Sequence, residues 1–244
     1  MDQDKTFLSV VIPAYNEEKR IPETLLLIDE YLKQKGFQYE IVVVDDGSKD
    51  NTIGVIDNFL NHNKKIRLFR NERNRGKGYS VKRGVLEAKG EYILFSDADL
   101  ATPIEELEKL LRWINDGYDV VIGSRKMKGS IVLNPVIWYR RIIGGLGHYA
   151  ILLAGLKHNI VDTQCGFKCF KEFAAKHIFS KQRLDGGMFD VEIIYIATKN
   201  RFKIKEIPVT WRYKGGSTIN LLRCMLFDPI DLIKIRLNYL LRRY

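Results

Sequence analysis

Cysteine is scarce in this chain: three in 244 residues, with no CxxC pair. That excludes a disulfide framework and leaves no basis for a structural zinc site; the odd count suits a reducing compartment. The four histidines, His62, His148, His158 and His177, have no metal-ligand spacing. None is placed as a base for Cys165, which reads as a small buried residue rather than a nucleophile. Nineteen glycines and six prolines are too few for a collagen-like or low-complexity chain. No secretory signal opens the sequence, since Met1-Asp2-Gln3-Asp4-Lys5 is mostly acidic. Long apolar runs are missing too. The longest stretch without charge, Ile142 to Leu156, has 15 residues and contains Gly144, Gly145, Gly147 and His148. Spanning a bilayer takes about 20 apolar residues, so the chain is expected not to cross one.

What is present is an ordinary globular composition, 45% hydrophobic and 29% charged, long enough for one sizeable core. The formal net charge is +10. Such a surface favours anionic partners, whether nucleic acid, anionic lipid or phosphorylated substrate.

The first half alternates strand-like and helix-like segments. Leu8 to Ile12, Ile41 to Val44, Ile66 to Phe69, Tyr92 to Phe95 and Val120 to Ile122 are short apolar runs, mostly ended by Pro, Gly or Asp. Near-continuous apolar strands predict a sheet covered on both faces. Pro22 with Leu25, Ile28 and Leu32 predicts a helix, and Thr102-Pro103-Ile104-Glu105 reads as a capping box ahead of Leu107, Leu110, Leu111 and Ile114. Residues 1 to about 125 therefore read as a mostly parallel α/β sheet. Beyond them, 136–156 looks helical and apolar, Phe167 to Phe170 a strand, Phe189 to Lys199 a helix and Ile204 to Tyr213 extended. From Ile219 to Tyr244, Leu222, Leu226, Ile230, Ile233, Leu237 and Leu240 recur at helical spacing beside Arg and Lys. Asp228-Pro229 is expected to break that segment into two helices.

Ligands of open α/β sheets bind beyond the carboxyl ends of the strands. Three such ends carry polar clusters: Pro13-Ala14-Tyr15-Asn16-Glu17, Asp45-Asp46-Gly47-Ser48 and Asp97-Ala98-Asp99. Taken alone, Asp97 and Asp99 read either as a carboxylate pair for a divalent cation or as an acidic pair at a helix N-terminus. The Asp45 cluster alone reads as a turn and helix cap. Asp190 and Glu192 lie two apart in a helix-like segment and cannot share a face, so one is expected to reach the cleft and the other to be structural or solvated.

Together the segments Val10 to Glu17, Ile41 to Ser48, Asn74 to Gly78 and Ser96 to Asp99 resemble the inverting glycosyltransferases of the GT-A fold, family 2, in order and spacing. In the second half, Gly123-Ser124-Arg125, Asp162 to Lys168 (DTQCGFK) and Phe189 to Glu192 are similar to the dolichyl-phosphate β-glucosyltransferases, relatives of the dolichyl-phosphate mannose synthases. The resemblance spans roughly residues 7 to 213. It implies a Rossmann-like, mostly parallel sheet flanked by helices, with residues 1–213 as the catalytic domain. Within that domain, about 1–125 would be the nucleotide-sugar half and 126–213 the acceptor half, while 214–244 forms an amphipathic, interfacial helical segment. It also implies that Pro13, Tyr15, Glu17, Asp46, Gly76 and Lys77, with Asp97, hold the nucleotide sugar. Asp97 and Asp99 would form a DxD motif placing Mg2+ or Mn2+ on the diphosphate, with Asp162 as a further catalytic or orienting carboxylate.

The implied acceptor is a polyprenyl or dolichyl monophosphate, already an anion, which needs cations more than a general base. Arg125, Arg140, Arg141 and Lys168 are the candidates to bind it. The implied donor is UDP-glucose, with GDP-mannose as the alternative. A lipid acceptor calls for a membrane surface, which 136–156 and Ile219 to Tyr244 suit as interfacial helices. Family members carry transmembrane segments at one end or the other that this sequence does not show. It is thus expected to be a prokaryotic, peripheral enzyme at the cytoplasmic face. Two other classes compete. A non-catalytic basic protein binding nucleic acid or membrane would fit the charge, but acidic clusters at three strand ends would repel nucleic acid. A nucleotidyltransferase would want a glycine-rich phosphate loop after the first strand, where Pro13 to Glu17 has no glycine.

Overall fold

The computed structural model describes residues 5–134, 160–214 and 221–244, with side chains from 228 onward in the last stretch. Arg140, Arg141 and the apolar 136–156 segment lie outside the described residues.

Nine strands and seven α-helices are described. They run β1 (Leu8–Ala14), α1 (Ile21–Gln34), β2 (Tyr39–Asp45), α2 (Thr52–His62), β3 (Ile66–Arg70), α3 (Lys77–Glu87), β4 (Tyr92–Ser96), a 3-10 turn (Ile104–Glu106) and α4 (Leu107–Asn115). Then come β5 (Val120–Ser124), β6 (Ile131–Leu133), β7 (Phe167–Lys171), α5 (Glu172–Lys181), α6 (Phe189–Lys199), β8 (Ile204–Pro208), β9 (Thr210–Arg212) and α7 (Leu221–Leu240). Seven strands form one sheet in the order β3-β2-β1-β4-β7-β5-β8, and β6 and β9 form a small separate pair. All neighbours in the large sheet are parallel except β7, which is antiparallel to both β4 and β5.

The apolar strands behave as their composition demands. Successive residues point to opposite faces, so Val10 and Ile12 join one core and Val11 the other, all fully buried. Helices α1 and α4 cover the first face through Leu25, Ile28, Leu107 and Leu110. Helices α3, α5 and α6 cover the second through Val81, Val85, Ile178 and Ile193. Burying one such side chain contributes about 1.5–3 kcal/mol, so two covered faces account for the lack of polar alternation.

This topology decides where the site lies. Strands β2 and β3 follow β1 on one side of it, while β4 pairs with its other side, so the crevice at the carboxyl ends of β1 and β4 is a switch point. Antiparallel β7 brings its amino end to the same edge, with Phe167 opposite Ser96. The segment before β7 thereby enters the crevice. Because β7 lies between β4 and β5, the segments before and after residue 125 share one continuous sheet.

Two local expectations are corrected. Thr102 caps no helix: Pro103 itself stands at the N-cap of the 3-10 turn, extended with ψ 144°, which carries Thr102 out of reach of the turn's N–H groups. Pro229 does not split the last segment, since α7 runs through it from Leu221 to Leu240. Proline there removes one i to i−4 hydrogen bond, and packing of Leu232 and Ile235 onto the α3–α5–α6 core holds the helix beyond it.

Candidate active site

Asp97 follows β4 directly, and its N–H donates to the carbonyl of Gly166 at 3.1 Å. The contact between these two residues is so close that a Cβ on Gly166 would lie 1.9 Å from Asp97 Oδ2. Asp97 Oδ1 lies 2.6 Å from the Lys77 ammonium. Asp99 turns beside it, its Oδ1 accepting from the Ala101 N–H at 3.0 Å. Thr24 Oγ1 on α1 donates to the Ala98 carbonyl at 2.7 Å and so holds the acidic turn from beneath. Burial, and then the charge of Asp97, push the Asp99 carboxyl above its ordinary value. Burial opposes the Lys77 charge, but Asp97 and Asp190 outweigh it and hold that ammonium above its usual range.

The β1 and β2 ends form one wall. Asn16, at φ 55°, sits in the left-handed region and is held by two bonds to the loop after β2. Its N–H donates to Ser48 Oγ at 2.9 Å, and its Oδ1 accepts from the Lys49 N–H at 2.8 Å. Glu17 is clamped by Arg20, whose Nε and Nη2 each donate to it at 2.6 Å. Burial nevertheless raises the Glu17 carboxyl against that pairing. Pro13 and Tyr15 are half-buried on the same wall. Asp45 is the turn residue of its pair, its Oδ2 accepting from the N–H groups of Gly47 and Ser48.

Asp46 reaches the next loop instead. It accepts from the N–H groups of Arg75 (2.9 Å) and Gly76 (2.8 Å) and from Asn71 Nδ2 (2.8 Å). With those donors engaged its carboxylate shapes the loop that carries Lys77. Gly76 is required there: its φ is 108°, and a Cβ would meet the Asp185 carbonyl at 2.4 Å.

The opposite wall is an ion pair. Arg125 follows β5, and its Nε and Nη2 both donate to Asp162 at 2.7 Å, while its backbone N–H adds a bond at 2.9 Å. Asp162 is 1% exposed, and Glu206 on β8 accepts from its N–H at 2.8 Å and from that of Val161 at 2.9 Å. Burial acts to raise the Asp162 carboxyl, but Arg125 outweighs it and holds it below the ordinary carboxylate range.

Lys168 is placed differently from the expectation. It is fully buried on β7, donating to Asp190 and to the Cys165 carbonyl. Its ammonium is committed inside the protein and is not open to a phosphate. Burial raises the Asp190 carboxyl despite Lys168 and Lys77 nearby. Asp190 and Glu192 are both buried: Asp190 takes the Lys168 ammonium, and Glu192 accepts from the backbone N–H groups of Arg183 and Leu184. Cys165 is buried, and burial pushes its thiol up to about 11, which suits a packed residue rather than a nucleophile.

The structure thus brings Lys77 against Asp97, with Asp99 two residues on in the same turn, Glu17 and Asp46 on the β1 and β2 side and the Arg125–Asp162 pair on the β5 side. Three partners were not anticipated from sequence: Arg20, Asn71 and Glu206. Only Arg20 had a local signal, its i, i+3 spacing from Glu17. No cluster of three or more His, Cys, Asp or Glu suited to a metal occurs among the described residues. Asp97 and Asp99 still fit a divalent cation. They are two hard oxygen donors, and burial together with the Asp97 charge raises the Asp99 carboxyl, a penalty that a cation would relieve. Mg2+ and Mn2+ sites often take few protein ligands, leaving positions for water and phosphate oxygens.

A mostly parallel sheet with helices on both faces and an acidic pair at its switch point is the architecture of a GT-A glycosyltransferase. The model of glycosyl transferase family 2 matches residues 9–179, and the chain belongs to that family. It is 37% identical to the dolichyl-phosphate β-glucosyltransferase of Saccharomyces cerevisiae, over 100% of this chain and 78% of that protein. It is also 37% identical to the human dolichyl-phosphate β-glucosyltransferase, over 96% of this chain and 76% of that protein. Among solved structures, glucosyl-3-phosphoglycerate synthase from Mycobacterium tuberculosis, in complex with Mn2+ and UDP-glucose, superposes with a TM-score of 0.67. The match covers 95% of this chain and 79% of that one at 18% identity, a likeness of fold.

Proposed function

We propose that this glycosyltransferase moves glucose from UDP-glucose onto a dolichyl or polyprenyl phosphate, inverting the anomeric centre to give a β-linked lipid-phosphate sugar. The observation that carries the reading is the Lys77–Asp97–Asp99 cluster at the switch point of a chain 37% identical to dolichyl-phosphate β-glucosyltransferases. Asp97 and Asp99 would hold Mg2+ or Mn2+, and such an ion, when bound, stabilises the negative charge of a departing nucleoside diphosphate. Lys77 brings a further positive charge to the same place, held by Asp97 on one side and by the Asp46-bound loop on the other. Pro13, Tyr15 and the Glu17–Arg20 pair line the nucleotide wall.

The acceptor is an anion at neutral pH, so its oxygen attacks the anomeric carbon without a general base. The bond from that carbon to the diphosphate oxygen breaks as the new one forms, and the electron pair leaves on UDP. Arg125 would receive the acceptor phosphate in this reading, and Asp162 fixes its fork in one orientation. Asp162, with its carboxylate held by three Arg125 donors, is thus a positioning residue in this reading. Arg140 and Arg141 remain candidates for the same phosphate.

In this reading residues 1–213 form the catalytic unit and 214–244 the lipid-facing segment at the cytoplasmic membrane surface. Among the described residues no helix is long and apolar enough to cross a membrane. Ile230, Ile233, Leu237 and Leu240 on α7 are 47–59% exposed, with Lys234 beside them, as an interfacial helix would require. A transfer assay with a short polyprenyl phosphate, Mg2+ or Mn2+ and labelled nucleotide sugars tests the reading. Label in the lipid product from UDP-glucose, abolished by EDTA, is expected. Label from GDP-mannose alone would reassign the sugar, and no label from any donor with intact UDP binding would refute the acceptor.

A further inference from the structure

Glu192 is fully buried in the first turn of α6 and has no salt bridge among the described residues. A buried carboxylate is costly unless its lone pairs are used, and an apolar residue of similar size would pack there more cheaply. This one gathers three donors from two separate parts of the chain. The Arg183 N–H lies 3.1 Å from both of its oxygens, the Leu184 N–H lies 2.8 Å from Oε2, and the Tyr244 hydroxyl donates to Oε1. Tyr244 lies just beyond α7, its ring edge-on to Tyr195 of α6 and its hydroxyl in contact with Asn238 Nδ2.

The segment that Glu192 holds is the backing of the Lys77 loop. The Asp185 carbonyl accepts from the Tyr79 N–H at 3.2 Å and sits where a Cβ on Gly76 would be. The Leu184 carbonyl crowds Gly78 in the same way, at 2.7 Å from a would-be Cβ. Gln182 Nε2 donates to the carbonyls of Gly78 (2.9 Å) and Leu184 (2.8 Å), and Lys82 Nζ donates to the Gln182 carbonyl at 2.6 Å. Lys77 thus lies between two clamps, Asp46 on the N–H groups before it and the 182–186 segment on those after it.

We propose that Glu192, tied to Tyr244, is a positioning residue for the donor site: it sets the 182–186 segment, which sets the start of α3 and with it the Lys77 ammonium. The proposal rests on the reading that the Lys77–Asp97 cluster serves the sugar diphosphate. It also links α7, whose outer face is apolar and exposed, to the donor loop through one hydroxyl.

The test uses the full chain with Glu192→Gln and Tyr244→Phe. Hydrogen exchange of the Tyr79 amide, followed without metal or nucleotide, should speed up about tenfold in E192Q and about threefold in Y244F, while β1 and β2 amides keep their rates. UDP affinity in the presence of Mn2+ should fall by similar factors, with the KM for polyprenyl phosphate unchanged at saturating donor. In a Lys77→Met background, Glu192→Gln should add no further loss of UDP affinity. A fall in melting temperature with unchanged Tyr79 exchange and unchanged UDP affinity in Y244F would overturn the proposal. Should E192Q fail to fold, Y244F carries the test. If the wild type binds no UDP, the donor-site reading fails, while Tyr79 exchange still decides whether Glu192 and Tyr244 set the loop.

Discussion

Replacing Gly166 by alanine tests the geometry of the acidic centre most sharply. The added Cβ would lie 1.9 Å from Asp97 Oδ2, 2.3 Å from Cγ and 2.6 Å from Oδ1. Ordinary contact begins near 3.4 Å, so the carboxylate or the loop must move by roughly 1.5 Å. The backbone has little room to yield, because the Gly166 carbonyl already accepts from the Asp97 N–H and Phe167 begins β7 opposite Ser96. The side chain of Asp97 is therefore what moves, and it leaves Lys77. Misplacing a reacting group by about 1 Å costs about 100-fold in rate, while local overpacking costs about 1–3 kcal/mol of stability. The expected result is a folded protein with a melting temperature lower by several degrees and sugar transfer reduced about 100-fold. The assay pairs thermal unfolding with initial rates of label transfer from UDP-glucose. A folded G166A that keeps its rate within about threefold would refute the placement of Asp97 at the reacting centre.

Asp162→Asn removes the anionic half of the Arg125 pair and should cost about 2–3 kcal/mol by chemical denaturation. Because the Asp162 carboxyl lies below its ordinary value of 3.8 in the folded state, the wild type gains this stabilisation above about pH 4 and loses it as pH falls through the folded value; D162N should show a smaller loss over that acid range. Asp228 behaves oppositely: burial, then the Asp231 charge, push its carboxyl up to about 6, so it weakens folding as pH rises from about 4 to about 6. Asp228→Asn should therefore raise the melting temperature at pH 7.5 and leave it unchanged near pH 4. Cys165 and Cys169 are both buried, with thiols pushed up to about 11 and about 12, so a maleimide should label neither until the protein unfolds.

Much of the site could be read before any coordinates. The apolar runs, the polar residues ending them and the order of the three acidic clusters are local properties, and each lies where the sequence analysis put it. Asp97 and Asp99 were legible because a strand end is marked by composition and two carboxylates two residues apart stand out. Misreadings came where a side chain's partner is remote in sequence. Lys168 looked like a phosphate ligand because lysine is usually exposed, yet it pairs with Asp190, 22 residues away, inside the core. The N–H groups that Asp46 accepts from lie about 30 residues on, and no local pattern announced them. Thr102 failed as a cap because Pro103 set the backbone extended, and Pro229 did not end α7 because tertiary packing outweighed one lost hydrogen bond.

Residue types, their spacing and their order along the chain were enough to specify an α/β sheet and its acidic strand ends, because hydrophobic period and turn composition act over a few residues; the class of chemistry came from the resemblance of the ordered motifs to a known family. Which carboxylates stay available and which are consumed inside the protein depended on the insertion of antiparallel β7 between β4 and β5. That one topological step sets Gly166 against Asp97, Asp162 against Arg125 and Asp190 against Lys168. Those pairings bring together groups from distant parts of the chain, and long-range contacts of that kind leave no periodicity for a sequence to display.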